Sequence, residues 1–427
     1  MTLVAGAAIR EISPNQPMQL CGYPHVLRLS TGIHDPLLAA ALYLENGSEA
    51  VLLGVLDLLM INSDAARRLR KRVSSALRLP EERILISCTH THSAPVTARY
   101  LPFIGDPAMP MPDADYLQFC EDRFVESAVA ARVDARPAGL CWTTADGTGV
   151  GGNRNSPEGP ADPEVGVLAI QADGKLHSLA VIYGMHPTVL HEDSTLVSAD
   201  FPHFVRRDLQ DRHGARVLYF TGPCGNQSPR RHVAAQTFSE AERLGRLLGS
   251  AVEASLDDLQ FDGNPVLSGR ITSVDLPWRK LPTVAEAQDL VARRREEYER
   301  LKAAAAPRAD VRTAEVAVFG AEATLRLAQC DVEAVLASVL PAEVQVLRIG
   351  DSCVVGFPGE IFVEYALDLK TRAPIRTFVI AFANGELQGY IVTAEALAAG
   401  GYEAASSLFV PAAGRMLVDA ALGAMEP

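Results

Sequence analysis

The chain has 427 residues, 48% hydrophobic and 21% charged, a balance typical of a globular protein long enough to bury a core without disulfide or metal staples. Its 39 basic and 52 acidic side chains leave a net charge of −13, which argues against a general affinity for nucleic acid or anionic membrane, since both need a basic face. The most apolar stretch, Ala50 to Ile61, is too short to span a bilayer and carries Asp57. No basic region precedes the apolar N-terminus, so no secretory signal is read. The seven cysteines are scattered, with no CxxC pair, and read as buried reduced thiols. The expectation is a cytoplasmic protein with no integral membrane association.

Short apolar runs alternate with amphipathic ones, which predicts an α/β (mixed α+β) fold: mixed β-sheets flanked by helices, with the active site at strand ends. In chain order the pattern predicts strands at Leu37–Leu44 and Ala50–Leu58, a helix at Ser63–Leu77, a strand at Arg83–Cys88 and a helix at Ala114–Ala131. Strands follow at Val165–Ile170 and Ser178–Tyr183, a helix at Phe201–Gln210, a strand at Arg216–Phe220 and a helix at Ser239–Leu256. Strands at Val344–Ile349 and Cys353–Phe357 and helices at Ile361–Leu367 and Arg415–Leu422 complete the set. Tyr100–Asp115, rich in proline and apolar residues, reads as a lid or pocket wall. Val284–Ala306 is a strong helix former with charges on most faces, read as a solvated helix or helical hairpin. No repeat of 20–50 residues is visible, and no linker divides the chain. Residues 1–427 are read as one large domain with a helical insertion near 280–330.

The residues that can do chemistry follow the apolar runs. Thr89-His90-Thr91-His92-Ser93 ends the Arg83–Cys88 run. Strand alternation would send His90 and His92 to one face, as two metal ligands, as one ligand and one hydrogen-bonding partner, or as two surface histidines in a turn. His186 ends a second run and is stopped by Pro187; His191 and Asp200 lie near it in sequence. Glu360 follows Phe357-Pro358-Gly359 at the end of a third run, where it is either a ligand or an acid at a helix start. Two histidines and a carboxylate from separate strand ends match the ligand set of catalytic zinc hydrolases. The glycine-rich Thr221–Pro229 stretch is a plain turn, a cradle for substrate through its backbone N–H groups, or a loop that presents Ser228 as a polar contact; it is neither a Walker loop nor a GxSxG elbow, which disfavours Ser228 as a nucleophile. Arg154, in Asn153-Arg154-Asn155-Ser156-Pro157, is a solvated charge or an anchor for a substrate oxygen.

Together these segments resemble the neutral/alkaline ceramidase family, in its N-terminal catalytic domain. The resemblance runs in order from about Gly6 to Leu422. It takes in Cys21-Gly22-Tyr23, Gly32-Ile33-His34, Asp57, the THTHS motif, NRNSP, His186-Pro187-Thr188, Val197-Ser198-Ala199-Asp200, PGE and Tyr402-Glu403-Ala404-Ala405-Ser406. It implies one zinc ion per chain held by His90, His186, Glu360 and Tyr390, the last found by its spacing ahead of Tyr402. It implies His92, Arg154, Ser228 and Tyr402 as the catalytic groups around the scissile bond.

The chain also departs from the family. Asn226, Gln227 and Arg230 replace the Asp, Val and Asn of the family's Gly-Asp-Val-Ser-Pro-Asn loop, and Arg230 and Arg231 would favour an acidic substrate group. Long members of the family are exported and carry an immunoglobulin-like C-terminal domain, for which the resemblance leaves no counterpart here. The resulting expectation is a zinc-dependent amidohydrolase, ceramidase-like in chemistry, acting on a small or soluble N-acyl amide. A zinc esterase or lactonase is the alternative, and a catalytically silent metal-binding relative the third reading.

Overall fold

A computed structural model describes residues 2–100 and 105–426. In it the chain lays down one strand pattern three times. Val4–Glu11, Leu38–Asn46 and Glu49–Leu56 pair antiparallel in succession; the helix Ser63–Leu77 crosses back, and Ile84–Cys88 returns parallel to Glu49–Leu56. Arg136–Asp146, Glu164–Ala172 and Lys175–Tyr183, then the helix Phe201–His213 and the parallel strand Arg216–Thr221, repeat the scheme. Leu267–Val274, Ala342–Ile349 and Ser352–Gly356, then the helix Val363–Arg372 and the parallel strand Thr377–Ile380, repeat it again. Each unit closes with a helix against its own first strand: Ala114–Asp134, Phe238–Ala254 and Ala412–Met425.

The first two units join where Val4 and Ala5 pair with Pro137 and Arg136, giving an eight-stranded sheet; the third is a separate four-stranded sheet. One dry core collects Leu42, Leu53 and Leu85 from the first unit, Leu168, Ile182 and Phe220 from the second, and Leu347, Val354 and Phe378 from the third. Along Leu38–Asn46 the residues Ala40, Leu42 and Leu44 face that core, while Ala39, Ala41 and Tyr43 face the helices. Burial on both faces is why such strands read as continuous apolar runs rather than alternating ones. Ser63–Leu77 is helical because Ala65, Ala66, Leu69, Val73 and Leu77 recur at helical spacing and are buried. It stops at Arg78, whose φ of 53° is left-handed.

The α/β class and the named elements agree with the sequence reading. Of the twelve strands in the three units, four escaped it: Val4–Glu11, Arg136–Asp146, Leu267–Val274 and Thr377–Ile380. Three of these are the first strands of their units. They are built from small and polar residues (VAGAAIRE, RPAGLCWTTAD, LSGRITSV), so they lack the apolar run that marked the others. The helical insertion is a hairpin of Val284–Ala303 and Arg308–Gln329 followed by Val332–Val339, set between the first two strands of the third unit. Its first helix is solvated as expected, burying only Ala287 and Val291. Its second packs on the short helix Tyr402–Ser406. Of the Tyr100–Asp115 segment, residues 101–104 lie outside the described residues; Tyr100 and Met109 pack against Cys21, Leu59 and Val96. All seven cysteines are free, though Cys141 and Cys330 are only half-buried. Among the described residues no helix is long and apolar enough to cross a membrane.

Candidate metal centre and active site

The three units point the loops after their third and fourth strands at one place. His90 follows the fourth strand of the first unit, His186 the third strand of the second, and Glu360 the third strand of the third. Strand alternation is not what brings His90 and His92 together: the strand ends at Cys88, and His90 turns the chain with a left-handed φ of 62°. The two rings then meet edge to face, 5.0 Å apart.

The tautomers are set by the backbone. His90 Nδ1 donates to the Leu59 carbonyl at 2.8 Å, and the ring stacks on Phe382 at 3.8 Å. His186 Nδ1 donates to the carbonyls of Cys224, at 2.5 Å, and Gln227, at 3.1 Å. A carbonyl can only accept, so both rings carry the proton on Nδ1 and present bare Nε2 lone pairs inward. Glu360 Oε2 lies 3.2 Å from Nε2 of His186 and 3.7 Å from that of His90. Gly225 keeps this loop close, because a Cβ there would meet the Glu360 and Ile361 carbonyl oxygens at 2.9 Å.

His92 completes the cluster, and neither of its ring nitrogens has a hydrogen-bond partner. Arg28 Nη2 holds its carbonyl at 2.6 Å, and Tyr23 stands edge-on to its ring at 5.2 Å. Gly22, with φ of 99°, leaves room for the ring: a Cβ would fall 2.5–2.6 Å from it. Ligand atoms of His90, His92 and His186 all lie within 4.8 Å of one another, a buried group that could hold a metal ion. Burial lowers the His186 pKa to about 4 and the His92 pKa well below its usual value. Burial alone would raise Glu360, but His186 and His90 beside it hold it well below the carboxylate range. At neutral pH His186 and His92 are therefore uncharged and Glu360 is a carboxylate, the protonation states that metal ligands need. The His90 Nε2 and both His92 ring nitrogens are buried without a hydrogen-bond partner, which is costly in a metal-free protein, so these residues fit a bound cation.

A phenol and guanidinium layer lies beside this group. Tyr390 pairs in register with Glu360 through the short parallel strands Glu360–Ile361 and Tyr390–Ile391. Its ring stands 6.0 Å from Tyr402 and 5.4 Å below the Arg154 guanidinium. Burial, reinforced by Glu360, pushes the Tyr402 hydroxyl up to about 12 and Tyr390 well above its usual value. Arg154 is buried, its Nε bound to Glu403 Oε1 at 2.5 Å while Nη2 has no partner. Burial would lower its pKa, but Glu403 and the Tyr390 phenol carry the net shift upward. The Arg154 amide donates to the Asn226 carbonyl at 2.9 Å. Asn226 in turn binds Glu364 at 2.8 Å and accepts from the Val363 amide at 3.1 Å. The Asn226 amide thus ties its loop to the third unit's helix.

Of the expected site residues, His90, His92, His186 and Glu360 converge, and Tyr390, Tyr402 and Arg154 form the adjoining layer. Ser228 sits in the strand pair opposite Gly152, and its hydroxyl accepts from the Arg230 amide at 3.3 Å. Other motif segments serve as scaffold. Asp57 makes a buried two-pronged ion pair with Arg206, at 2.7 and 2.8 Å, linking the first unit to the second. Ser198 anchors Asp35 at 2.6 Å and accepts at its carbonyl from Thr91, at 2.7 Å, bracing the histidine loop. Sequence reasoning gave no role to Glu403, Phe382 or Arg28. Glu403 was within reach, as the one acid in the Tyr402–Ser406 segment; the other two carry no motif.

Three converging strand ends that present imidazoles, a carboxylate and phenols in a mixed α/β fold form an arrangement able to support metal-assisted hydrolysis. No family model and no curated protein sequence matches the chain. Solved structures do, among them neutral ceramidase from Pseudomonas aeruginosa, with a TM-score of 0.76 and 18% identity over 99% of this chain and 74% of that one, and a ceramidase complexed with C2, with a TM-score of 0.74 and 17% identity over 99% and 75%. The protein has a neutral-ceramidase-like fold.

Proposed function

We propose that this protein is a zinc-dependent amidohydrolase, ceramidase-like in chemistry, that cleaves a small or soluble N-acyl amide. The observation that supports this most is the set of bare imidazole nitrogens facing Glu360 in a buried pocket. His90, His186, Glu360 and Tyr390 would hold the metal, which when bound supplies a Lewis acid that polarises the carbonyl and makes water a nucleophile near neutral pH. The Tyr402 hydroxyl keeps its proton and can donate to the oxygen on which negative charge develops. Arg154 directs its free Nη2 toward a substrate oxygen while Glu403 fixes its plane. His92, uncharged and with both nitrogens free, can take up a proton and return it to the leaving amine, a step an amide needs and an ester does not.

The test is metal analysis of the purified protein together with hydrolysis of N-acyl amides, esters and lactones before and after chelation. About one zinc per chain and chelator-sensitive amide cleavage are expected. Cleavage of esters or lactones alone would replace the amidohydrolase by an esterase, and no metal with no activity after zinc addition would overturn the proposal. His90→Ala and Glu360→Ala should lose both metal and hydrolysis. His92→Ala should keep the metal; loss of metal there would make His92 a ligand. Tyr402→Phe should keep the metal and slow turnover by about 10²–10³, the usual cost of one oxyanion donor.

A further inference from the structure

The rim of the pocket carries an arginine that the protein leaves without a partner. Arg230 lies two residues beyond Ser228, whose backbone pairs with Gly152 in the strand that leads to Arg154. The turn is closed by the His232 amide donating to the Pro229 carbonyl at 2.7 Å, and Arg231 Nη2 reaches the Arg154 carbonyl at 3.4 Å. Among the described residues the Arg230 side chain makes no hydrogen bond or ion pair. Nearby carboxylates are already engaged: Glu403 by Arg154, and Glu192 and Glu315 by Arg312, at 3.2 and 2.7 Å. Other arginines are paired, as in Arg206 with Asp57, Arg70 with Glu343 and Arg68 with Glu121. Partial burial, then Arg154, lowers the Arg230 pKa, with Glu403 opposing.

We propose that Arg230 selects an N-acyl substrate bearing a free carboxylate, which its planar fork binds at the pocket rim. The fork geometry of guanidinium suits a carboxylate in two-pronged contact. Because the side chain is exposed at the rim, its effect falls on substrate binding rather than on the chemical step.

This inference rests on the amidohydrolase reading, and two readouts separate their failures. The first is kcat/KM for N-hexanoyl-glycine against N-hexanoyl-glycinamide, and for N-succinyl-benzylamine against N-butyryl-benzylamine, which place the charge on the amine and acyl halves. In at least one pair the zinc-loaded protein should favour the charged member at least tenfold through KM, and Arg230→Gln should bring that ratio toward one. Ratios near one in both pairs, or a preference that survives Arg230→Gln, would overturn the inference even if amides are cleaved. The second readout is calorimetric binding of N-hexanoyl-glycine and N-succinyl-benzylamine to His90→Ala protein, with and without Arg230→Gln. Binding of one of these that weakens about tenfold with Arg230→Gln would uphold carboxylate recognition even if no amide is turned over; equal binding would refute it.

Discussion

Arg154 and Glu403 are each about nine-tenths buried, so their charges are worth most as a pair. Removing one member of a buried pair strands the other, at a typical cost of about 3–5 kcal/mol. Glu403→Gln keeps the shape and an acceptor but leaves Arg154 uncompensated. It should lower the denaturant midpoint by a free energy of that order and slow hydrolysis, because the guanidinium is no longer held in plane. Adding Arg154→Met should recover most of the stability and none of the activity. A Glu403→Gln protein as stable as the parent would show that the pair is not what fixes Arg154. At this scale the histidines and Glu360 were legible because each follows an apolar run, and Tyr390 only through family resemblance. Phe382, which stacks on His90, and the Leu59 carbonyl that sets its tautomer were not legible, since a backbone oxygen and a core aromatic leave no mark in sequence.

The Arg308–Gln329 helix is the element whose role changed most on seeing the fold. It falls within the helical insertion expected near 280–330, and in it Phe319 stacks on His25 at 3.9 Å, Thr324 donates to the Ala405 carbonyl at 3.2 Å, and Arg312 grips Glu192. The helix therefore walls the side of the pocket that carries Tyr402. Contacts with His25, then Arg312, hold Glu192 down to about 2 from an ordinary 4.5. A depressed carboxylate contributes stability above its unfolded pKa and loses it as pH falls through the folded one. Docking of this helix should thus weaken between about pH 4.5 and 2, by no more than about 1 kcal/mol for so exposed a network. Hydrogen exchange in Arg308–Gln329 should lose protection relative to Ser63–Leu77 when pH drops from 6 to 3, and Glu192→Gln should remove that difference. Equal responses of the two helices would place the anchorage elsewhere.

Across the whole molecule, the class of fold and most of its strands could be read from apolar runs, whereas the threefold plan could not. The units share topology without shared sequence, and the first strand of each lies hidden in small and polar residues. The plan has a thermodynamic counterpart. A ligand that binds only the folded state stabilises it by about 2.7 kcal/mol at a hundred times its Kd, and the proposed ligands come from all three units. Zinc should therefore raise the melting temperature, and chelation should loosen Thr89–Ser93, Gly184–Pro187 and Phe357–Ile361 together. Loosening confined to one of these loops would mean that the metal does not bridge the units.

The left-to-right order of the donors has a consequence for the protein's birth. His90 and His186 leave the ribosome with the first two units, and for the time needed to make some 170 further residues they have neither Glu360 nor Tyr390. Until then the chain offers His90, His92 and His186 alone. Under the proposed ligand set, all four ligands come together only when the last unit docks.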